Sequence, residues 1–138
     1  MRPITLKEVE YTAFQLAQKT MSWDEPIPDF KTRQANLLES CLATPFQSFA
    51  GKKAYKGLIT KAAVLFYLMI KNHPFQNGNK RIAMTTLFLF LYLNKKWIKV
   101  NNQVLYNFAI WVAESPADLG EETKLAIEKF IKKNIVDL

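Results

Sequence analysis

An all-α bundle of about six helices is the fold class the sequence predicts, and three observations lead to it. Apolar residues recur at helical spacing through most of the 138 residues, with two dense runs at 62–70 and 82–93. Strand-like alternation is scarce. Only four glycines are present, so little of the chain reads as flexible linker. Hydrophobic residues at 49% and aromatics at 13% suit a compact core and exclude disorder. The length fits one domain, 1–138.

Taken in order, Thr5 and Glu8 have capping-box spacing, which predicts a first helix to about Lys19 with Leu6, Val9, Ala13 and Leu16 inward. Residues 20–30 hold Pro26 and Pro28 and read as a loop, with Trp23 as a packed anchor. A second helix is expected over 31–42, ending before Pro45. Residues 43–57, punctuated by Gly51 and Gly57, read as an irregular loop or short hairpin. The third helix, 58–71, is apolar nearly all round and therefore central. A fourth runs to about Asn94, followed by a short extended link over 97–100. Asn101 or Asn102 caps a fifth helix ending near Glu114. Ser115, Pro116 and Gly120 mark the next connection. The last helix, 121–134, is amphipathic, with Leu125, Ile127, Phe130 and Ile131 expected inward.

Between the two densest apolar runs lies a polar island, His73-Pro74-Phe75-Gln76-Asn77-Gly78-Asn79-Lys80-Arg81. Each flanking run is too short to cross a bilayer, which takes about 20 apolar residues. Burying a histidine and two cations in lipid is also costly, so no membrane span is expected. Pro74 ends the third helix, Gly78 allows a tight loop, and Asn79 can cap the fourth. A helix N-terminus attracts anions, and Lys80 and Arg81 add two charges there. Beside them stands His73, the only histidine in the chain and the residue type most used as a general base. A base beside a phosphate cradle is the minimum needed to move a phosphate-containing group onto a hydroxyl. Phe75 reads as a hydrophobic peg fixing the loop to the core.

Other catalytic classes fare worse. One histidine and one cysteine make no zinc set, and no Walker loop appears. The single Cys41 forbids an intramolecular disulfide and fits a reducing compartment, and the first ten residues lack a secretory pattern. A cytoplasmic location is the expectation. The net charge of +7 and pI near 9.5 suit a nucleotide, a nucleic acid or an acidic protein. No aromatic-basic interleaving favours nucleic acid, so none is expected to bind directly.

The run HPFQNGNKR resembles the signature loop HPFx(D/E)GN(G/K)R of the Fic/Doc (Fido) family, and Lys80-Arg81-Ile82-Ala83 is closest to its Doc, or death-on-curing, branch. Residues 33–42, a stretch containing Gly51 and Tyr55, and Lys61-Ala62-Ala63 follow the same order, so the likeness covers roughly 30–97. It implies a protein-modifying enzyme that uses ATP, with His73 as general base and Gly78, Asn79, Lys80 and Arg81 holding the nucleotide's phosphates. In the Doc branch a lysine at position 80 goes with transfer of the terminal phosphate. Met84, where adenylyl-transferring members carry a second arginine, points the same way. Adenylyl transfer remains the alternative, and a non-catalytic nucleotide- or partner-binding member a third.

The departure from the family pattern is Asn77, where an acid normally binds Mg2+. An uncharged amide oxygen is a weaker ligand. The resemblance also implies that the flap, 43–57, pairs with the backbone of a host protein substrate, with Phe46, Phe49 and Tyr55 as candidate lining residues and a translation factor as family precedent. The inhibitory pattern (S/T)xxxE(G/N) of many relatives is absent. Thr20 with Asp24 comes nearest. Control is therefore expected from a separate antitoxin acting in trans.

Overall fold

The computed structural model describes all 138 residues. Six helices make up the bundle, two of them a central pair, with two small two-stranded sheets at the surface. Helix α1 (6–20) opens with the expected capping box: the Thr5 side chain accepts from the Glu8 amide, and the Glu8 carboxylate accepts from the Thr5 amide at 3.0 Å. Between Val9 and Phe14 it widens into π geometry. The wider turn advances the buried face, so Val9, Ala13, Phe14 and Ala17 point inward while Leu16 is exposed, contrary to the simple helical spacing.

Helix α2 spans Ala35–Ala43 and begins later than expected. A 3-10 turn at Phe30–Thr32, capped by Asp29, precedes it. The backbone at Arg33 and Gln34 is extended because the Gln34 amide donates to the Pro74 carbonyl at 2.8 Å. That bond ties the start of α2 to the polar island. Pro45 lies within a second 3-10 turn, Thr44–Phe46.

Strands β1 (Ser48–Phe49) and β2 (Lys52–Lys53) form the flap hairpin, with Phe49 opposite Lys52. Its turn residues, Ala50 at φ 52° and Gly51 at φ 77°, have the positive dihedrals of a type I′ turn. Helices α3 (Leu58–Lys71) and α4 (Asn79–Leu93) form the core pair, and nine residues of α3 and ten of α4 are buried, consistent with their all-round apolarity. Strand β3 (Lys96–Ile98) pairs antiparallel with a C-terminal strand β4 (Ile135–Asp137), where only an extended link was expected. Helix α5 (Asn102–Glu114) is capped by Asn101, whose side chain accepts from the Gln103 amide at 2.7 Å. Helix α6 (Gly120–Asn134) buries Thr123, Ile127 and Ile131. Leu125 is exposed at 57%, since two residues correspond to about 200° of helix rotation from Ile127. No helix is long and apolar enough to cross a membrane.

Candidate active site

The site is built where α3 stops and α4 starts. Asn72 closes α3, and His73 takes φ 48°, a left-handed conformation uncommon outside glycine. His73 is exposed, while Pro74 and Phe75 behind it are buried. The Phe75 ring meets Phe14 at 5.7 Å and Phe30 at 6.0 Å, so the loop is pegged to α1 and to the turn before α2.

Asn79 does not cap α4 as expected. It is the first helical residue, and its carboxamide clamps the loop in both directions: Oδ1 accepts from the Phe75 amide at 2.9 Å and Nδ2 donates to the Phe75 carbonyl at 2.8 Å. The capping position belongs to Gly78, which is left-handed at φ 78° and offers no side chain. A Cβ there would sit 2.6 Å from Ile27 Cγ1, so glycine is required by both conformation and space. The Asn77 Oδ1 accepts from the Gly78 amide at 2.8 Å, and its Nδ2 donates to the Pro26 carbonyl at 3.3 Å and Glu25 Oε2 at 3.4 Å.

Lys80 is half-buried and in no ion pair. Arg81 is 2% exposed, and its guanidinium donates to the Met21 carbonyl at 2.8 Å and the Glu25 carbonyl at 2.6 Å. The loop after α1 is thus latched onto the start of α4. It carries Asp24, at φ 73°, whose carboxylate accepts from the Tyr106 hydroxyl of α5 at 3.2 Å. The Glu25 backbone amide, then Tyr106 and the charges of Arg81 and Lys80, hold the Asp24 carboxyl below its ordinary range. Burial, reinforced by the Asp24 charge, pushes the Tyr106 hydroxyl up.

His73, Asn77, Gly78, Lys80, Arg81 and Asp24 share one cavity of about 200 Å³, with Asn79 and Tyr106 also on its wall. Sequence reasoning missed Tyr106 and gave Asp24 no place at the site. The one signal for Asp24 was its offset from Thr20. Trp23 is not a fully packed anchor: it is 38% exposed and meets Tyr106 edge-on at 5.8 Å beside this cavity. Met84 is fully buried and contributes nothing here. Cys41 offers no nucleophile, because burial pushes its thiol up to about 11.

The flap residues divide. Phe46 turns inward, half-buried against Phe90 at 6.1 Å and beneath the Lys61 amine at 5.3 Å. Tyr55 is half-buried, and its carbonyl accepts from Lys61 Nζ. Phe49 alone is fully presented, at 65% exposure. Of the three candidate lining residues, Phe46 is thus drawn into the core by its aromatic and cationic neighbours.

The model of the Fic/DOC family matches residues 3–91, which include every element of the cavity wall except Tyr106 and Ala113. Toxin Doc of Mycolicibacterium smegmatis is 36% identical over 66 residues, covering 48% of this chain and 51% of that protein. The chain therefore spans about half the length of the curated relative it matches. No solved structure matches it. A match over 3–91, carrying the His73–Arg81 loop and both core helices, means that the chain belongs to the Fic/DOC family.

Proposed function

We propose that this protein is a Doc-like toxin that transfers the terminal phosphate of ATP to a hydroxyl of a host protein. The observation that carries the reading is that His73, Lys80 and Arg81 line one cavity at the uncapped start of α4. The triphosphate lies against the Gly78–Arg81 turn, where helix N–H groups and Lys80 offset its charge. A ring nitrogen of His73 takes the proton of the target hydroxyl as its oxygen bonds to the γ-phosphorus. The β–γ bridging P–O bond breaks, ADP leaves with that electron pair, and His73 returns its proton to solvent.

The residues fit magnesium only in part. Asn77 Oδ1 spends one lone pair on Gly78 and keeps a second, and Asp24 is the cavity's one carboxylate, already engaged by Tyr106. That suits an ion carried in by phosphates with Asn77 as a single neutral ligand. Its chemistry there would be neutralisation of phosphate charge.

Cell extract incubated with the protein and γ-labelled ATP should yield a labelled protein band, and α-labelled ATP should not. Label from the α position alone would replace this reading with adenylyl transfer. No label with retained ATP binding would leave a non-catalytic member. The accompanying proposal is an antitoxin in trans: expression of this chain alone should arrest growth, and His73→Ala should not.

A further inference from the structure

Charge along this chain is segregated rather than diffuse. Between Glu39 and Glu114 there is no acidic residue, yet ten of the nineteen lysines and arginines fall there. The flap lies in the middle of that stretch. Lys52 and Lys53 make up β2 and are exposed, as is Lys56 just beyond it. None has a counter-ion, since the three ion pairs of the molecule join Arg2 to Glu8, Lys96 to Asp137 and Lys124 to Glu121.

Three unpaired cations within five residues repel one another, a cost the fold gains nothing from. The hairpin consists of β1 and β2 alone, so each strand has a free edge of backbone donors and acceptors. Phe49 projects from it at 65% exposure. The base of the hairpin is fixed, because buried Lys61 of α3 donates to the Tyr55 carbonyl. Below that base an open groove of about 530 Å³ continues the surface, bordered by Lys56, Leu58, Ile59 and Val136.

We propose that the flap and this groove bind an acidic, extended segment of a protein partner. The segment adds as a strand to the hairpin edge, its carboxylates meet Lys52, Lys53 and Lys56, and an apolar residue enters the groove. Because neighbouring strand residues point to opposite faces, Lys52 and Lys53 meet carboxylates on either side of the added strand. Charge complementarity selects an acidic occupant, and the free backbone edges select a peptide over a nucleic acid, which has no amides to pair. The inference rests on the reading of the flap as the target-holding element and names the chemistry of the segment it holds.

The test needs no ATP, so it is independent of which group is transferred. Fluorescence anisotropy is measured for a short fluorescein-labelled peptide of adjacent Glu pairs with one central Leu, which puts carboxylates on both faces of an added strand, for its Gln-for-Glu counterpart, and for a single-stranded DNA oligomer. The Glu peptide should bind, the Gln peptide should not, and affinity should fall steeply as salt is raised. Lys52→Gln and Lys53→Gln should each weaken binding by about 2- to 5-fold, the scale of an exposed ion pair, and Phe49→Ala should weaken it further. All three side chains are exposed, so the variants should fold, which circular dichroism checks. Lys80→Gln should leave peptide binding unchanged. Equal binding of the Glu and Gln peptides, DNA binding without peptide binding, or loss of the peptide on Lys80→Gln alone would each overturn the proposal.

Discussion

The Arg81 guanidinium, at the first turn of α4, donates to the Glu25 carbonyl at 2.6 Å and so joins two segments 56 residues apart in sequence. A second bond, to Met21, completes the grip. Lysine would keep the charge, but its single nitrogen cannot occupy both positions from which Nη1 and Nη2 reach these two carbonyls. Arg81→Lys should therefore lower unfolding stability by about 1.5–3 kcal/mol, the scale of a hydrogen bond to a charged group. Urea denaturation measures it, and an unchanged midpoint would mean that the latch contributes nothing.

The same latch delivers a carboxylate to the cavity of the His73–Arg81 loop. Asp24 faces Lys80 and Arg81, and its folded-state pKa lies below the ordinary value. The carboxylate is thus charged throughout the neutral range, and any stability it contributes is lost as pH falls through that lowered value. Its charge opposes an incoming anion. Asp24→Asn should bind sulfate severalfold more tightly than wild type at neutral pH. Sulfate keeps its charge as pH is lowered, so wild-type affinity should approach that of the variant below the Asp24 pKa. Parallel curves at all pH values would remove Asp24 from the cavity's electrostatics.

His73 combines the one imidazole of the chain with a strained backbone, at φ 48°. Strain of that kind persists where function or surrounding structure holds it. His73→Ala and His73→Gly should both lose transfer by about 10²–10⁴-fold. Only glycine relieves the left-handed conformation, so His73→Gly should be the more stable of the two by about 0.5–1 kcal/mol. The reverse order of melting temperatures would contradict the conformation.

These contacts explain which parts of the molecule were legible in the sequence. Helices α3 and α4 and the loop between them could be read because apolar density, Pro74 and Gly78 are local signals. The inward face of α1 could not, because the π turn is associated with a distant partner: the buried Thr85 hydroxyl of α4 donates to the Ala13 carbonyl at 2.8 Å. The late start of α2 likewise depends on Pro74, and β3 depends on a strand some forty positions further along the chain. The His73–Arg81 loop was visible as a motif. Its wall of Asp24 and Tyr106 was not, since those residues lie 82 positions apart and neither belongs to the motif.

Position 77 tests whether the loop meets a metal ion. Asn77 uses its amide nitrogen toward Pro26 and Glu25 and its oxygen toward Gly78. Asn77→Asp keeps the acceptor for the Gly78 amide but turns the donor face into a second carboxylate oxygen beside Glu25. Without metal, two lost hydrogen bonds and like-charge repulsion should lower stability by about 0.5–1.5 kcal/mol. An ion held at position 77 would take these carboxylate oxygens in preference to a neutral amide. Thermal melts across a magnesium titration should therefore show the variant rising toward wild type while wild type alone hardly moves. Superimposable titrations of the two proteins would place the ion elsewhere, and the uncharged residue at position 77 would then have no bearing on metal binding.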